Sequence, residues 1–88
     1  MNSRIYPTSD VEADAPDSPI TFNIEGDEYY VDIEKGSLII DATDGDCDTD
    51  LWYLVTSVFE NRITITPTHV GVTASIKKDG KYIYIPCV

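Results

Sequence analysis

From Ile20 onward the chain alternates apolar and polar residues in short runs broken by turn residues, the pattern of strands with one buried face. Ile20, Phe22 and Ile24 are apolar with Thr21 and Asn23 between them, and Gly26-Asp27 follows as a two-residue turn. A type II′ turn there pairs Ile24 with Tyr29, Phe22 with Val31 and Ile20 with Ile33, which gathers the large apolar groups on one face. A second turn at Lys35-Gly36 returns the chain as Ser37-Leu38-Ile39-Ile40, and Leu38 and Ile40 join that face. The opposite face of this three-stranded meander carries Glu25, Glu28, Tyr30, Asp32, Glu34 and Asp41, an acidic wall.

Two signals compete over residues 51 to 61. Leu51, Leu54, Val55, Val58 and Phe59 recur at helical spacing, with Asp48 or Thr49 placed to cap the start. Trp, Tyr, Val, Thr and Phe dominate the same segment and favour a strand. A strand would be apolar on both faces, which a domain this small has trouble burying, so the spacing predicts a helix near residues 50–60. Arg62-Ile63-Thr64-Ile65-Thr66 then alternates again and stops at Pro67, as a short strand near an edge does. Asp79-Gly80 between two alternating runs predicts a C-terminal hairpin. Its register sets Val72, Ala74 and Ile76 against Cys87, Ile85 and Ile83 inside, and turns Tyr82 and Tyr84 outward with Lys77 as a secondary contact surface. The expected fold is α+β, with about six mostly antiparallel strands and one helix packed on their apolar face. A small all-β barrel or sandwich is the alternative.

Length and composition narrow this further. Eighty-eight residues make one small domain, here residues 20–88, and leave no room for a deep cleft. Residues 1–19 hold three prolines with Ser, Asp and Ala between them and read as an extended or disordered acidic arm, onto which Ile5-Tyr6 has the means to dock. At 42% hydrophobic and 10% aromatic the chain has the material for a core despite a net charge of −10. It opens with no signal-peptide pattern and has no apolar run long enough to cross a bilayer, so no membrane association and a cytoplasmic location are expected, the host cytoplasm if a phage encodes it. Cys47 and Cys87 stand in no metal or redox spacing and read as two thiols.

The supply of chemistry is poor. His69 has no partner at ligand spacing, no glycine-rich phosphate loop occurs, and the abundant carboxylates sit in the most hydrophilic stretch rather than where burial would raise one of them. Neither an enzyme nor a cofactor is expected. Asp44-Gly45-Asp46-Cys47-Asp48-Thr49-Asp50 places carboxylates at alternate positions, as calcium loops do, but Thr49 and Val55 stand where an EF-hand needs Gly and Glu. Asp44, Asp46, Asp48 and Asp50 are therefore a weak calcium candidate.

The charge is unevenly placed. Met1 to Asp50 carries 14 acids and 2 bases, and Leu51 to Val88 carries 2 acids and 4 bases. Such a chain is repelled by nucleic acid and drawn to cationic surfaces. In an extended segment Asp44, Asp46, Asp48 and Asp50 leave on one side, about 6.6 Å apart at roughly 3.3 Å per residue, a row that matches nucleic-acid phosphates in sign and scale. Together with Asp41, Glu25, Glu28, Asp32 and Glu34 they form the expected binding surface, with Tyr30, Tyr82 and Tyr84 as secondary contacts. The expected partner is a basic nucleic-acid-binding or nucleic-acid-cutting protein. Phage-encoded inhibitors of CRISPR effectors and of restriction enzymes, and immunity proteins against nuclease toxins, share this size and charge, though no motif here matches a family of them. The alternative is an acidic interaction or structural domain with no mimicry.

Overall fold

The structure is a computed structural model that describes residues 3–25, 33–45 and 48–86. Among those residues the chain forms β1 (Ser3–Ile5), β2 (Val11–Glu12), β3 (Ile20–Asn23), β4 (Leu38–Asp41), β5 (Trp52–Phe59), β6 (Arg62–Pro67), β7 (Ser75–Ile76) and β8 (Tyr82–Ile85). The only helical element described is a single 3₁₀ turn at Thr49–Leu51. The fold is nearly all β, and the expected α+β class is corrected accordingly.

The segment expected as a helix is β5. Its aromatic and β-branched residues suit a pleated strand, and its helix-like spacing mixes the two faces of that strand, since Val55 and Val58 are inward whereas Leu54 and Phe59 are exposed. The register against β6 shifts between Val55 and Ser57, so the inward positions are Tyr53, Val55 and Val58 instead of a strict alternation. β6 lies between β5 and β3 rather than at an edge, and Pro67 is tolerated because it is the last residue of the strand.

Six strands run in the order β1, β8, β4, β5, β6, β3, each antiparallel to its neighbour. The chain beyond β1 then closes the sheet on itself. Pro7 bridges Ile24, the Glu25 N–H donates to the Tyr6 carbonyl (2.8 Å), and the Thr8 N–H donates to the Asn23 carbonyl (3.0 Å). Followed once round, the registers accumulate a stagger of roughly ten residues, the kind of tilt that closing a sheet into a barrel requires. The all-β alternative, a small barrel, is the architecture found. The arm is extended and hydrogen-bonded into it, with Ile5 2% exposed.

Inside lie Ile20, Phe22 and Ile24 of β3 and its extension, Ile63 and Ile65 of β6, Ile39 of β4, and three tyrosines, Tyr53, Tyr82 and Tyr84. The expected inward faces of β3 and β6 are present. Those of β4 and β8 are reversed. Ile39 faces inward opposite Tyr53 and Tyr84, so Leu38 and Ile40 face out, and Tyr82 and Tyr84 are buried instead of forming a contact surface. Tyrosine suits this interior because its ring fills the barrel while its hydroxyl reaches polar groups at the ends. The Tyr84 hydroxyl hydrogen-bonds the Ser37 hydroxyl (3.0 Å) and accepts the Glu34 N–H (3.3 Å).

The expected C-terminal hairpin pairing is not seen, and the second strand of the expected N-terminal hairpin lies almost wholly outside the described residues. Both edges of β4 are taken, by β8 and β5, so it cannot be the third strand of an N-terminal meander. The second strand of that meander, with Glu28, Tyr30 and Asp32, falls mostly outside the described residues. The turn at Lys35-Gly36 is present, with Gly36 at φ 92° and the Ser37 N–H donating to the Glu34 carbonyl. At the C-terminus the Asp79-Gly80 turn is also present, the Gly80 N–H donating to the Lys77 carbonyl (3.0 Å). The strands on either side of it part company, however. β8 enters the barrel, while β7 pairs with β2 and lies across one end.

That end is plugged by Ala74 and Ile76, both fully buried. The strap of residues 10–19 follows the same path, with the Ala13 N–H on the Ala74 carbonyl and the Asp17 N–H on the Val72 carbonyl (both 2.9 Å). Two barrel tyrosines hold the plug from below. The Tyr82 hydroxyl accepts the Lys77 N–H (2.7 Å) and the Tyr53 hydroxyl accepts the Ser75 N–H (3.5 Å).

Candidate functional site

Asp41 ends β4 and Trp52 begins β5, so the aspartate run is the loop joining two neighbouring strands at the plugged end of the barrel. Both ends of the loop are tied down. The Ala42 N–H donates to the Lys81 carbonyl (2.8 Å), and the Thr43 hydroxyl accepts the Lys81 N–H (2.9 Å). Asp41 Oδ1 accepts the Thr43 N–H (2.9 Å), an Asx turn that bends the chain out of the strand. Gly45, at φ 84°, closes the next turn onto the Ala42 carbonyl (3.1 Å). On the far side the Leu51 N–H donates to the Asp48 carbonyl (2.9 Å), and Thr68 donates its N–H to the Trp52 carbonyl (3.1 Å).

The described part of the run is thus a turn over residues 41–45 and a 3₁₀ turn at Thr49–Leu51 rather than an extended row. The even spacing that made it resemble phosphates is corrected, because Asp41, Gly45 and Asp48 each favour local bends over a strand. What remains is clustering. Asp44, Asp48 and Asp50 are all exposed on a loop fixed at both ends, and no ion pair joins an acidic and a basic side chain among the described residues. Asp46 and Cys47 fall outside the described residues, as does Cys87.

Of the other expected contact residues, Glu28, Tyr30 and Asp32 lie outside the described residues, and Asp41, Glu25 and Glu34 are not brought to this loop. Asp41 is half-buried, lies opposite Tyr82, and faces the barrel end instead of solvent. Burial pushes the phenols of Tyr53 and Tyr82 above their ordinary value, the amide N–H groups of Ser75 and Lys77 oppose that rise, and the Asp41 charge adds to it. Glu25 follows β3 and Glu34 precedes β4, so both sit at the opposite end of the barrel from Asp44, Asp48 and Asp50. Among the described residues Glu25 and Glu34 are therefore separated from Asp44, Asp48 and Asp50 by the length of the barrel.

Acidic residues that the sequence assigned only to a tail share the plugged end instead. Asp10 Oδ1 accepts the Lys78 N–H and Asp17 Oδ1 accepts the Gly71 N–H (both 2.8 Å), so these two secure the strap. Glu12 and Asp14 are exposed on it. Three exposed lysines, Lys77, Lys78 and Lys81, lie in the segment between β7 and β8 at this end, so the acidic character belongs to the loop and strap rather than to the whole surface there. The signal for the strap was Val11, which the arm's polar composition masked.

Among the described residues no group of three His, Cys, Asp or Glu side chains is placed to hold a metal ion. His69 is exposed and its Nδ1 hydrogen-bonds the Thr68 hydroxyl (2.9 Å). No helix among the described residues is long and apolar enough to cross a membrane. No protein-family model matches the chain, and neither a curated protein nor a solved structure is significantly similar to it.

Proposed function

We propose that this protein is a small acidic inhibitor, of the anti-CRISPR, anti-restriction or nuclease-immunity kind, that binds the basic groove of a nucleic-acid-binding or nucleic-acid-cutting protein and competes there with nucleic acid. The observation that carries the reading is the loop of Asp44, Asp48 and Asp50. These are exposed carboxylates with no ion pair among the described residues, on a backbone anchored to Lys81, just before β8, at one side and through Trp52 to Thr68 at the other. Anchoring matters because charges held in place before binding lose less conformational freedom on association than charges on a free tail. The mimicry is one of charge density, not of a regular phosphate repeat, and it is strongest where a groove concentrates positive potential.

The test is capture from nuclease-treated lysate with two baits, the wild type and Asp44→Asn/Asp48→Asn/Asp50→Asn. Basic nucleic-acid-binding proteins are expected on the first bait and absent from the second. The same proteins on both baits would remove the loop from the interface.

A further inference from the structure

β8, β4 and β5 are apolar on both faces. Cross-strand pairing lays their outward residues in two rows, Ile83, Ile40 and Trp52, then Ile85, Leu38 and Leu54. None of the six belongs to the barrel core. Ile40 is buried (5% exposed), Leu38, Trp52 and Ile83 are half-buried, and Leu54 and Ile85 are 36% and 40% exposed. The three strands contain one charged residue, Asp41, and it is on the inward register. In a chain of net charge −10 the wall is thus an uncharged apolar face. The loop carrying Asp44, Asp48 and Asp50 runs from the end of β4 to the start of β5, so it borders the row of Ile40 and Trp52.

We infer that this wall is a docking face, and that its occupant is the same basic partner, seating an apolar patch on the wall while its lysines or arginines meet the acidic loop. The inference rests on the acidic-loop reading of function. An apolar centre with a charged border is the usual anatomy of a specific interface. Charge decides against a second copy as occupant. Stacking two walls about a two-fold axis sets each acidic loop either beside its counterpart, which opposes like charges, or over the opposite end, where Glu34 and Glu60 alternate with Lys35 and Arg62 and offer the loop no net positive surface. A cationic rim meets the loop with opposite charge.

Trp52, the chain's one tryptophan, is half-buried in the wall, so the exposed part of its ring makes its fluorescence a reporter of the wall. Two probes separate the wall from the loop: an oligolysine, and a peptide of the same lysine count with leucines interleaved. Both are expected to bind at low salt. The leucine-bearing peptide is expected to bind at least about tenfold more tightly, a difference of about 1.4 kcal/mol. It is also expected to shift Trp52 emission to the blue and shield it from acrylamide. Leu54→Ser/Ile85→Ser, with an unchanged circular dichroism spectrum, is expected to abolish that difference and leave oligolysine binding intact. Equal affinities and unaltered Trp52 emission with both peptides would overturn the docking face while the loop reading stands. If neither peptide binds at low salt, the loop reading fails and the docking face with it. A blue shift that grows with protein concentration in the absence of peptide, and is lost in the double serine variant, would give the wall to a second copy and overturn the proposal.

Discussion

At Gly80 the ring of Tyr82 folds back so closely that an added Cβ would lie 2.6 Å from its Cε2 and hydroxyl oxygen. The ring cannot retreat without giving up the Lys77 N–H that its hydroxyl accepts. Gly80→Ala is therefore expected to cost about 1–3 kcal/mol, as overpacking of a filled interior does, read from the urea midpoint. Tyr82→Phe keeps the ring but strands that N–H, at a cost of about 1–3 kcal/mol. In the unfolded chain Tyr53 and Tyr82 titrate near 10.0, and burial raises both in the fold. Their contribution is fully present below that value and is lost as pH rises through the higher folded values. The urea midpoint is expected to hold up to about pH 10 and fall above it, less steeply in Tyr53→Phe. Glu60, at φ 55° in the β5–β6 turn, sits where an L side chain is strained, so Glu60→Gly is expected to raise stability by up to about 1 kcal/mol.

At the scale of elements, legibility tracked how one-sided each strand is. β3 and β6 alternate strictly, and the faces read from Ile20, Phe22, Ile24, Ile63 and Ile65 are those the barrel buries. β4, β5 and β8 each offer apolar residues on both faces, so hydrophobicity alone cannot choose a parity. The register of an Asp79-Gly80 hairpin turns Tyr82 and Tyr84 outward, whereas the interior has amides at its ends that their hydroxyls reach. Turns were readable at Gly36 and Gly80 from local chemistry, but partner strands were not, since pairing across the barrel depends on closure by Tyr6 to Thr8. The strap shows the same limit, because polar residues stay ordered when their backbone is paired. Hydrogen exchange checks this. The amides of Thr8, Ala13 and Asp17 are expected to exchange at rates comparable to those of the barrel ladders, and exchange at the rate of a free peptide would contradict the strap.

For the whole molecule the decisive quantity is charge, and its division matters more than its sum. The acidic loop was legible as a concentration of aspartates, but its shape was not, because Asx turns and a 3₁₀ turn depend on anchors at Lys81 and Thr68 far along the chain. An interface built on that loop should weaken steeply with salt, since exposed charges are screened within about 8 Å at physiological ionic strength. The residual affinity at high salt measures the apolar wall. The most direct test of nucleic-acid mimicry is competition. A basic nucleic-acid-binding protein captured by the wild type is loaded with fluorescently labelled duplex, and the acidic protein is titrated in. Displacement of the duplex by the wild type, and none by Asp44→Asn/Asp48→Asn/Asp50→Asn, is the predicted result; simultaneous binding of duplex and wild type to the captured protein would contradict it.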